Sequence, residues 1–350
     1  MTETASDAIE APESGDDDLA LAPPTGDAVL KLRDFRVTFP TLFGDVKAVR
    51  GIDLDVGAGE MLGIVGESGS GKSVTFLGTM GLLPKSARIE GSATVGGLEL
   101  VGASPKVLNR VRGQRMAMIF QDPLSALNPV HRIGDQIVEM IRSHQDTGKK
   151  AAWEKSIELL DIVGIPQPRD RASQYPHEFS GGMRQRVMIA MAIANDPEVL
   201  IADEPTTALD VTVQAQILDV LQRVRREMHT AIVLITHDLG VVARVADRVQ
   251  VMYAGRAAER GDVVPIFDHP SHPYTRGLMS SIPALGRERL SPIPGAPPNM
   301  VDPPSGCAFR VRCPFAIDAC AEGLPELVPF GDLATACIRA KDLVELESVS

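Results

Sequence analysis

The sequence predicts an α/β fold built around a phosphate-binding loop, and three stretches predict it. MLGIVG (61–66) is a fully apolar strand that runs into a glycine-rich turn. KSVTFLGTMGLL (72–83) follows with the apolar spacing of a helix that buries one face. VLIAD (199–203) is a second apolar strand, and it ends in an acidic pair.

Upstream of the turn, VLKLRDFRVTF and GIDLDVGAGEMLGIVG carry short alternating or apolar runs broken by glycine, which predicts further strands from Val29 onward. The turn itself, GESGSGKS, comprises Gly66, Glu67, Ser68, Gly69, Ser70, Gly71, Lys72 and Ser73. Glycines at its ends let successive backbone N–H groups face one anion, and the following helix adds its positive N-terminus. In such a loop Lys72 reaches the β- and γ-phosphates of a nucleotide, and the Ser73 hydroxyl ligates Mg²⁺. A nucleotide hydrolase also needs a second magnesium group and a group that activates water. Asp203 and Glu204, at the end of the VLIAD strand, are the candidates for those two roles.

The 350 residues give room for one large domain and an accessory one. A net charge of −11 argues against a sequence-independent grip on nucleic acid. The acidic first 28 residues, without aromatics or apolar periodicity, read as a disordered tail. They lack the basic and apolar regions of a secretory signal. No run of about 18 apolar residues occurs, so no membrane span is expected and the compartment reads as cytosolic.

FSGGMRQR (179–186) resembles the signature motif of ATP-binding cassette (ABC) proteins, L-S-G-G-Q, with Phe179 and Met183 departing from it. The resemblance implies that Ser180, Gly181 and Gly182 bind the γ-phosphate of ATP held by another subunit, so that the site is complete only in a dimer. Gln121, in IFQDPLSALNP, resembles the Q-loop, which touches magnesium and the attacking water and carries movement toward a transmembrane partner. Ala208-Leu209-Asp210 resembles the D-loop between the two sites, and His237 the switch histidine on the γ-phosphate. Phe43 is the choice for the aromatic stacked on adenine, with Phe39 second. The family implies a RecA-like core over residues 29–260, with a β subdomain at its start and a helical subdomain around 122–180. The helical spacing of AAWEKSIELLDIVGI fits that insertion. With one phosphate loop in the chain, the second ATP-binding subunit would be another copy or a paralogue.

The segment 261–350, through HPSHPYTRGLMSSIP and IPGAPPNMVDPPSGCAFRVRCPFA, resembles the loop-rich C-terminal extension of ATP-binding subunits of oligopeptide and dipeptide importers. That resemblance implies an ATPase on the cytoplasmic face of the cell membrane. It also implies two transmembrane permease subunits and an extracytoplasmic substrate-binding protein. Members of the subfamily also carry nickel complexes or glutathione. A soluble ABC ATPase of DNA repair or translation is the other class, but the insertions and linkers typical of those are missing. His269 and His272, each before a proline, read as loop packing rather than a metal pair.

All four cysteines lie in this extension, spaced C-x₅-C-x₆-C-x₁₆-C as Cys307, Cys313, Cys320 and Cys337. A cytosolic setting disfavours a disulfide knot. Zinc and an iron–sulfur cluster both take four thiolates, but the paired C-x₂₋₄-C knuckle common in zinc sites does not occur. Cys313-Pro314 echoes ferredoxin-like ligation, and Arg310 and Arg312 could offset thiolate charge. Some peptide-importer ATPases hold a [4Fe–4S] cluster here. The expectation is therefore such a cluster, with zinc as the alternative and merely packed thiols as a third outcome.

Overall fold

The structure, a computed structural model, describes residues 28–122, 126–207, 209–281 and 293–348. The acidic tail up to residue 27, part of DPLSALNP (123–125), Ala208 of the D-loop match and residues 282–292 lie outside the described residues. Ala28 already opens the first strand.

Two sheets organise the chain. A small antiparallel sheet holds β1 (Ala28–Thr41), β2 (Gly44–Gly57), β4 (Arg88–Val95) and β5 (Leu98–Glu99) in the order β2-β1-β4-β5. The large sheet contains β3 (Met61–Val65), β6 (Met116–Ile119), β7 (Val199–Asp203), β8 (Ala231–Thr236), β9 (Arg248–Tyr253) and β10 (Arg256–Asp262). Two short strands, β11 (Val328–Phe330) and β12 (Leu333–Thr335), complete it, in the order β11-β12-β10-β9-β3-β8-β7-β6. The strands from β9 through β6 pair in parallel. Every residue of β3, β7 and β8 is buried, because a parallel sheet covered on both faces leaves no side for solvent.

One core joins the two sheets. Leu30, Phe35 and Leu54 of the small sheet meet Ile64 of β3 and Phe76 of the helix Lys72–Thr79. A second core holds the helices Ile133–His144, Lys149–Ile162, Pro168–Ala172 and Gly181–Ala192 against the other face, through residues such as Ile137, Ile141, Leu160 and Ile189. No helix among the described residues is long and apolar enough to cross a membrane.

The boundary expected at residue 260 falls inside β10, and the extension is built into the same sheet. Glu259 of β10 opposes Thr335 of β12, and β11 pairs with β12 in turn. Tyr253, Tyr274 and Phe309 form an aromatic knot between β9 and the extension, with ring centroids 4.6–5.3 Å apart. The fully buried Glu259 carboxylate accepts the backbone N–H groups of Ser271 and His272, and burial raises its pKa.

His272 caps the helix Pro273–Ser280, its Nδ1 accepting the Tyr274 N–H at 3.0 Å. Burial pushes its pKa down to about 4, so the ring is neutral in the fold. An unfolded histidine takes up its proton near pH ~6.5, so this group's stabilisation is complete above that pH and is lost as pH falls toward 4. The full shift corresponds to about 3 kcal/mol. Calorimetric Tm should therefore fall less steeply between about pH 7 and about pH 5 in His272→Asn, which keeps a capping acceptor but cannot titrate.

Candidate nucleotide site

The phosphate loop leaves the carboxyl end of β3, and two close approaches fix its path. Gly66 has φ +150°, and a Cβ there would lie 2.2 Å from the Met252 carbonyl oxygen of β9. Gly71 has φ +98°, and a Cβ there would lie 2.5 Å from the Ala48 carbonyl oxygen of β2. Only glycine fits either position. Glu67, Ser68, Gly69, Gly71, Lys72 and Ser73 help line an open cavity of about 540 Å³, a volume suited to a nucleotide. Gly66 lies outside that lining. Ser70 does too, its hydroxyl buried and without a partner among the described residues.

Gln121, Asp203, Glu204 and His237 line the same cavity. They come from the ends of β6, β7 and β8, where the carboxyl edge of a parallel sheet collects ligand-binding groups. Ser73 Oγ donates to Asp203 Oδ1 at 2.8 Å, which places two hard oxygens side by side, as Mg²⁺ prefers. Burial raises the Asp203 pKa, opposed by that hydrogen bond. Lys72 is buried, and Nζ donates to the carbonyls of Gly66 (2.7 Å) and Glu67 (3.0 Å). Burial lowers its pKa, while the carboxylates of Glu204, Asp203 and Glu67 pull it back up.

Glu204 adopts φ +47°, an uncommon backbone for a side-chain-bearing residue, and its N–H donates to Ile235 O. Its Oε1 lies 3.2 Å from His237 Nδ1, and its Oε2 accepts from Thr207 Oγ1 (2.8 Å) and Gln121 Nε2 (3.2 Å). Burial works to raise its pKa, but the hydrogen bonds from Thr207 and His237 outweigh it. The net shift is downward, leaving a carboxylate that can accept a proton from water. Thr207 was not foreseen from the sequence, although its place three residues after Glu204 could have suggested a local side-chain partner.

The signature residues stand apart. Ser180 caps the helix Gly181–Ala192, its Oγ accepting the Met183 N–H. A Cβ on Gly182 would lie 2.5 Å from Val213 Cγ1, on the helix Val211–Met228. None of Ser180, Gly181 and Gly182 lines the cavity. Asp210 caps the helix Val211–Met228 by accepting the Val213 N–H at 3.0 Å. Phe43 sits in the β1–β2 turn, 89% exposed and outside the cavity lining, while Phe39 packs against the core of the small sheet.

Glu67 does something the motif does not predict. Its N–H donates to the buried Tyr274 hydroxyl at 2.8 Å, so that N–H is not free for a phosphate. Its carboxylate takes a two-pronged ion pair from Arg312, at 2.6 and 2.9 Å. Arg312 was expected to offset thiolate charge, and this expectation is corrected: its guanidinium points to the phosphate loop, and the Glu67 pairing raises its pKa.

Cys307, Cys313, Cys320 and Cys337 are free thiols that line one apolar pocket with Phe309 and Phe315. Burial pushes the Cys307 and Cys313 thiols up and Cys337 to about 11, and the neighbouring cysteines push the same way. Among the described residues, no group of three or more His, Cys, Asp or Glu is gathered closely enough to hold a metal ion. The expected metal centre is thus unsupported as a preformed site, although the four cysteines share one pocket.

A phosphate loop, a Ser–Asp oxygen pair and a caged carboxylate at the edge of one parallel sheet define a P-loop ATPase. Residues 49–207 match the family described as "ABC transporter", and residues 258–320 match "Oligopeptide/dipeptide transporter, C-terminal region". The oligopeptide transport ATP-binding protein OppD of Escherichia coli (strain K12) is 52% identical over 307 residues, covering 87% of this chain and 91% of that protein. The dipeptide transport ATP-binding protein DppD of Bacillus subtilis (strain 168) is 51% identical over 302 residues, covering 85% of this chain and 90% of that protein. The dimeric bacterial ABC transporter cassette MJ0796 superposes with a TM-score of 0.60 at 25% identity, over 67% of this chain and 98% of that one. The chain belongs to the ABC transporter family, among its oligopeptide and dipeptide transport ATP-binding proteins.

Gly71→Ala tests the loop geometry. The left-handed backbone alone costs an ordinary residue about 1–2 kcal/mol, before the contact with Ala48 is counted. Equilibrium binding of a fluorescent ATP analogue should weaken by about tenfold or more.

Proposed function

We propose that the chain is the ATP-hydrolysing subunit of a peptide importer, coupling ATP binding and hydrolysis to uptake through separate permease subunits. The observation that carries the reading is the Glu204 carboxylate, held by Gln121, Thr207 and His237 in the cavity that Lys72 also lines. Lys72 and the loop amides bind the phosphates. Ser73 and Asp203 would hold Mg²⁺, which would neutralise charge on the phosphate oxygens. Glu204 accepts the proton of the attacking water, with His237 and Gln121 setting its orientation. Phe43, exposed at its turn, is available to stack on adenine.

The proposed assembly is a dimer with an identical or paralogous ATP-binding subunit, set beneath two permease subunits on the cytoplasmic face of the membrane. An extracytoplasmic protein delivers the peptide. The distance of Ser180 and Gly182 from the chain's own cavity supports the dimer, since these groups then serve ATP on the partner. An apolar groove of about 300 Å³ supports the permease contact. It is lined by Met118, Met140, Met188 and Met191, with the exposed Phe120 beside Gln121. Flexible methionines accommodate an inserted helix well.

Glu204→Gln in the assembled transporter should still bind ATP and lose about 100-fold or more in turnover, and the isolated variant subunit should accumulate a dimer on size exclusion with ATP. The substitution should also abolish uptake of a labelled tripeptide. Lys72→Ala should weaken ATP binding itself. Unchanged turnover in Glu204→Gln would falsify the base assignment.

The finer proposal for the extension is a structural [4Fe–4S] cluster on Cys307, Cys313, Cys320 and Cys337. The shared pocket of the four thiols supports it, because a four-iron cluster spreads its ligands wider than a single ion does. Its chemistry would be to tie together a segment with little core of its own. Protein purified without oxygen should be brown, absorb broadly near ~400 nm and carry about four irons per chain. Colourless protein with one zinc per chain would replace the cluster with a zinc site.

A further inference from the structure

The phosphate loop carries an anion of its own. Glu67 lines the same cavity as Lys72 and Ser73, and its negative charge is felt at Lys72. A nucleotide triphosphate entering that cavity meets like charge unless the carboxylate is neutralised and turned aside. One group does both. Arg312 is almost wholly buried, with its side chain 5% exposed, and its fork matches the Glu67 carboxylate oxygen for oxygen.

The remaining donors of Arg312 are also engaged. Nε donates to Pro294 O at 2.8 Å, and Nη1 reaches the Tyr253 hydroxyl at 3.3 Å. Its Cζ lies 5.8 and 5.9 Å from the ring centres of Tyr253 and Phe309. Tyr274, from the same extension, fixes the Glu67 N–H. Lys72 holds the Glu67 carbonyl, but phosphates compete for that ammonium, so the two contacts from the extension are the ones a bound nucleotide leaves in place.

We propose that Arg312 is a positioning residue of the ATP site: reaching in from the cysteine-bearing extension, it screens the Glu67 carboxylate and holds the phosphate loop open to nucleotide triphosphate. The inference rests on reading residues 66–73 as the ATP site. Arg312 does not line the cavity and makes no hydrogen bond to Glu204, His237 or Gln121, so its effect falls on KM and nucleotide affinity, not on kcat.

The test is a cycle of Arg312→Met, Glu67→Gln and the double variant in the full-length, assembled transporter, with Arg312→Lys beside it. ATP KM, kcat, analogue affinity and Tm are read for each. Arg312→Met should raise KM and weaken affinity about tenfold, with kcat within about twofold of the parent. Adding Glu67→Gln should return KM to within about threefold, because the repelling charge is gone. Arg312→Lys keeps the charge without the fork, and should lie between the parent and Arg312→Met. Should Arg312→Met fail to fold, Arg312→Lys decides: a KM raised about tenfold or more despite an unchanged Tm overturns charge screening. An unchanged KM in Arg312→Met, or a double variant no better than Arg312→Met, also overturns it and leaves Arg312 as a strut for the extension. If the parent binds no ATP, the site reading fails instead.

Discussion

The structure depends on how closely the phosphate loop is wedged between two strands. Met252 of β9 presses on Gly66, and Ala48 of β2 presses on Gly71, at distances that admit no side chain. Gly255 is in the same position against Ala48, and its N–H donates to Ser70 O. The loop is therefore held by backbone from the small sheet on one side and the large sheet on the other. The order of the two sheets in space, more than any single side chain, sets where its amides point.

Around that wedge, charge is balanced at short range. The cavity gathers Asp203, Glu204 and Glu67 against Lys72, and each carboxylate has a separate partner. Asp203 takes the Ser73 hydroxyl, Glu204 takes Thr207, Gln121 and His237, and Glu67 takes Arg312. An acidic site can accept a polyanion when its own anions are occupied and Lys72 is left to face the cavity. The strained backbone of Glu204 belongs to the same arrangement, since it aims the carboxylate across the sheet edge while the N–H stays tied to β8.

Most of this site was legible in the sequence because its chemistry is local. Gly66 to Ser73 are contiguous, Asp203 and Glu204 end one apolar run, and His237 ends another. The parallel core was legible for a similar reason, since strands buried on both faces read as unbroken apolar runs. Contacts made over long sequence separations were not legible. Glu67 and Arg312 lie 245 positions apart, and neither announces the other. The strands β11 and β12, three residues each, are too short for any period to show. The cysteines gave the opposite difficulty: their crowding was plain, but spacing alone does not set distances between sulfurs. The structure brings the four into one pocket without closing them around an ion.

The pairing of β10 with β12 has a consequence for how the protein is made. Residues 259 and 335 become neighbours only after the intervening stretch has been synthesised, so the ribosome releases β10 well before its cover exists. Until then, an open strand edge beside the parallel core is a template for pairing with another nascent chain. The finished sheet ends on β11, where Pro329 lacks the N–H that a further strand would need. A pair of strands made well after β10 thus closes the edge against self-association, and a chain stopped before Leu333 would keep that edge open.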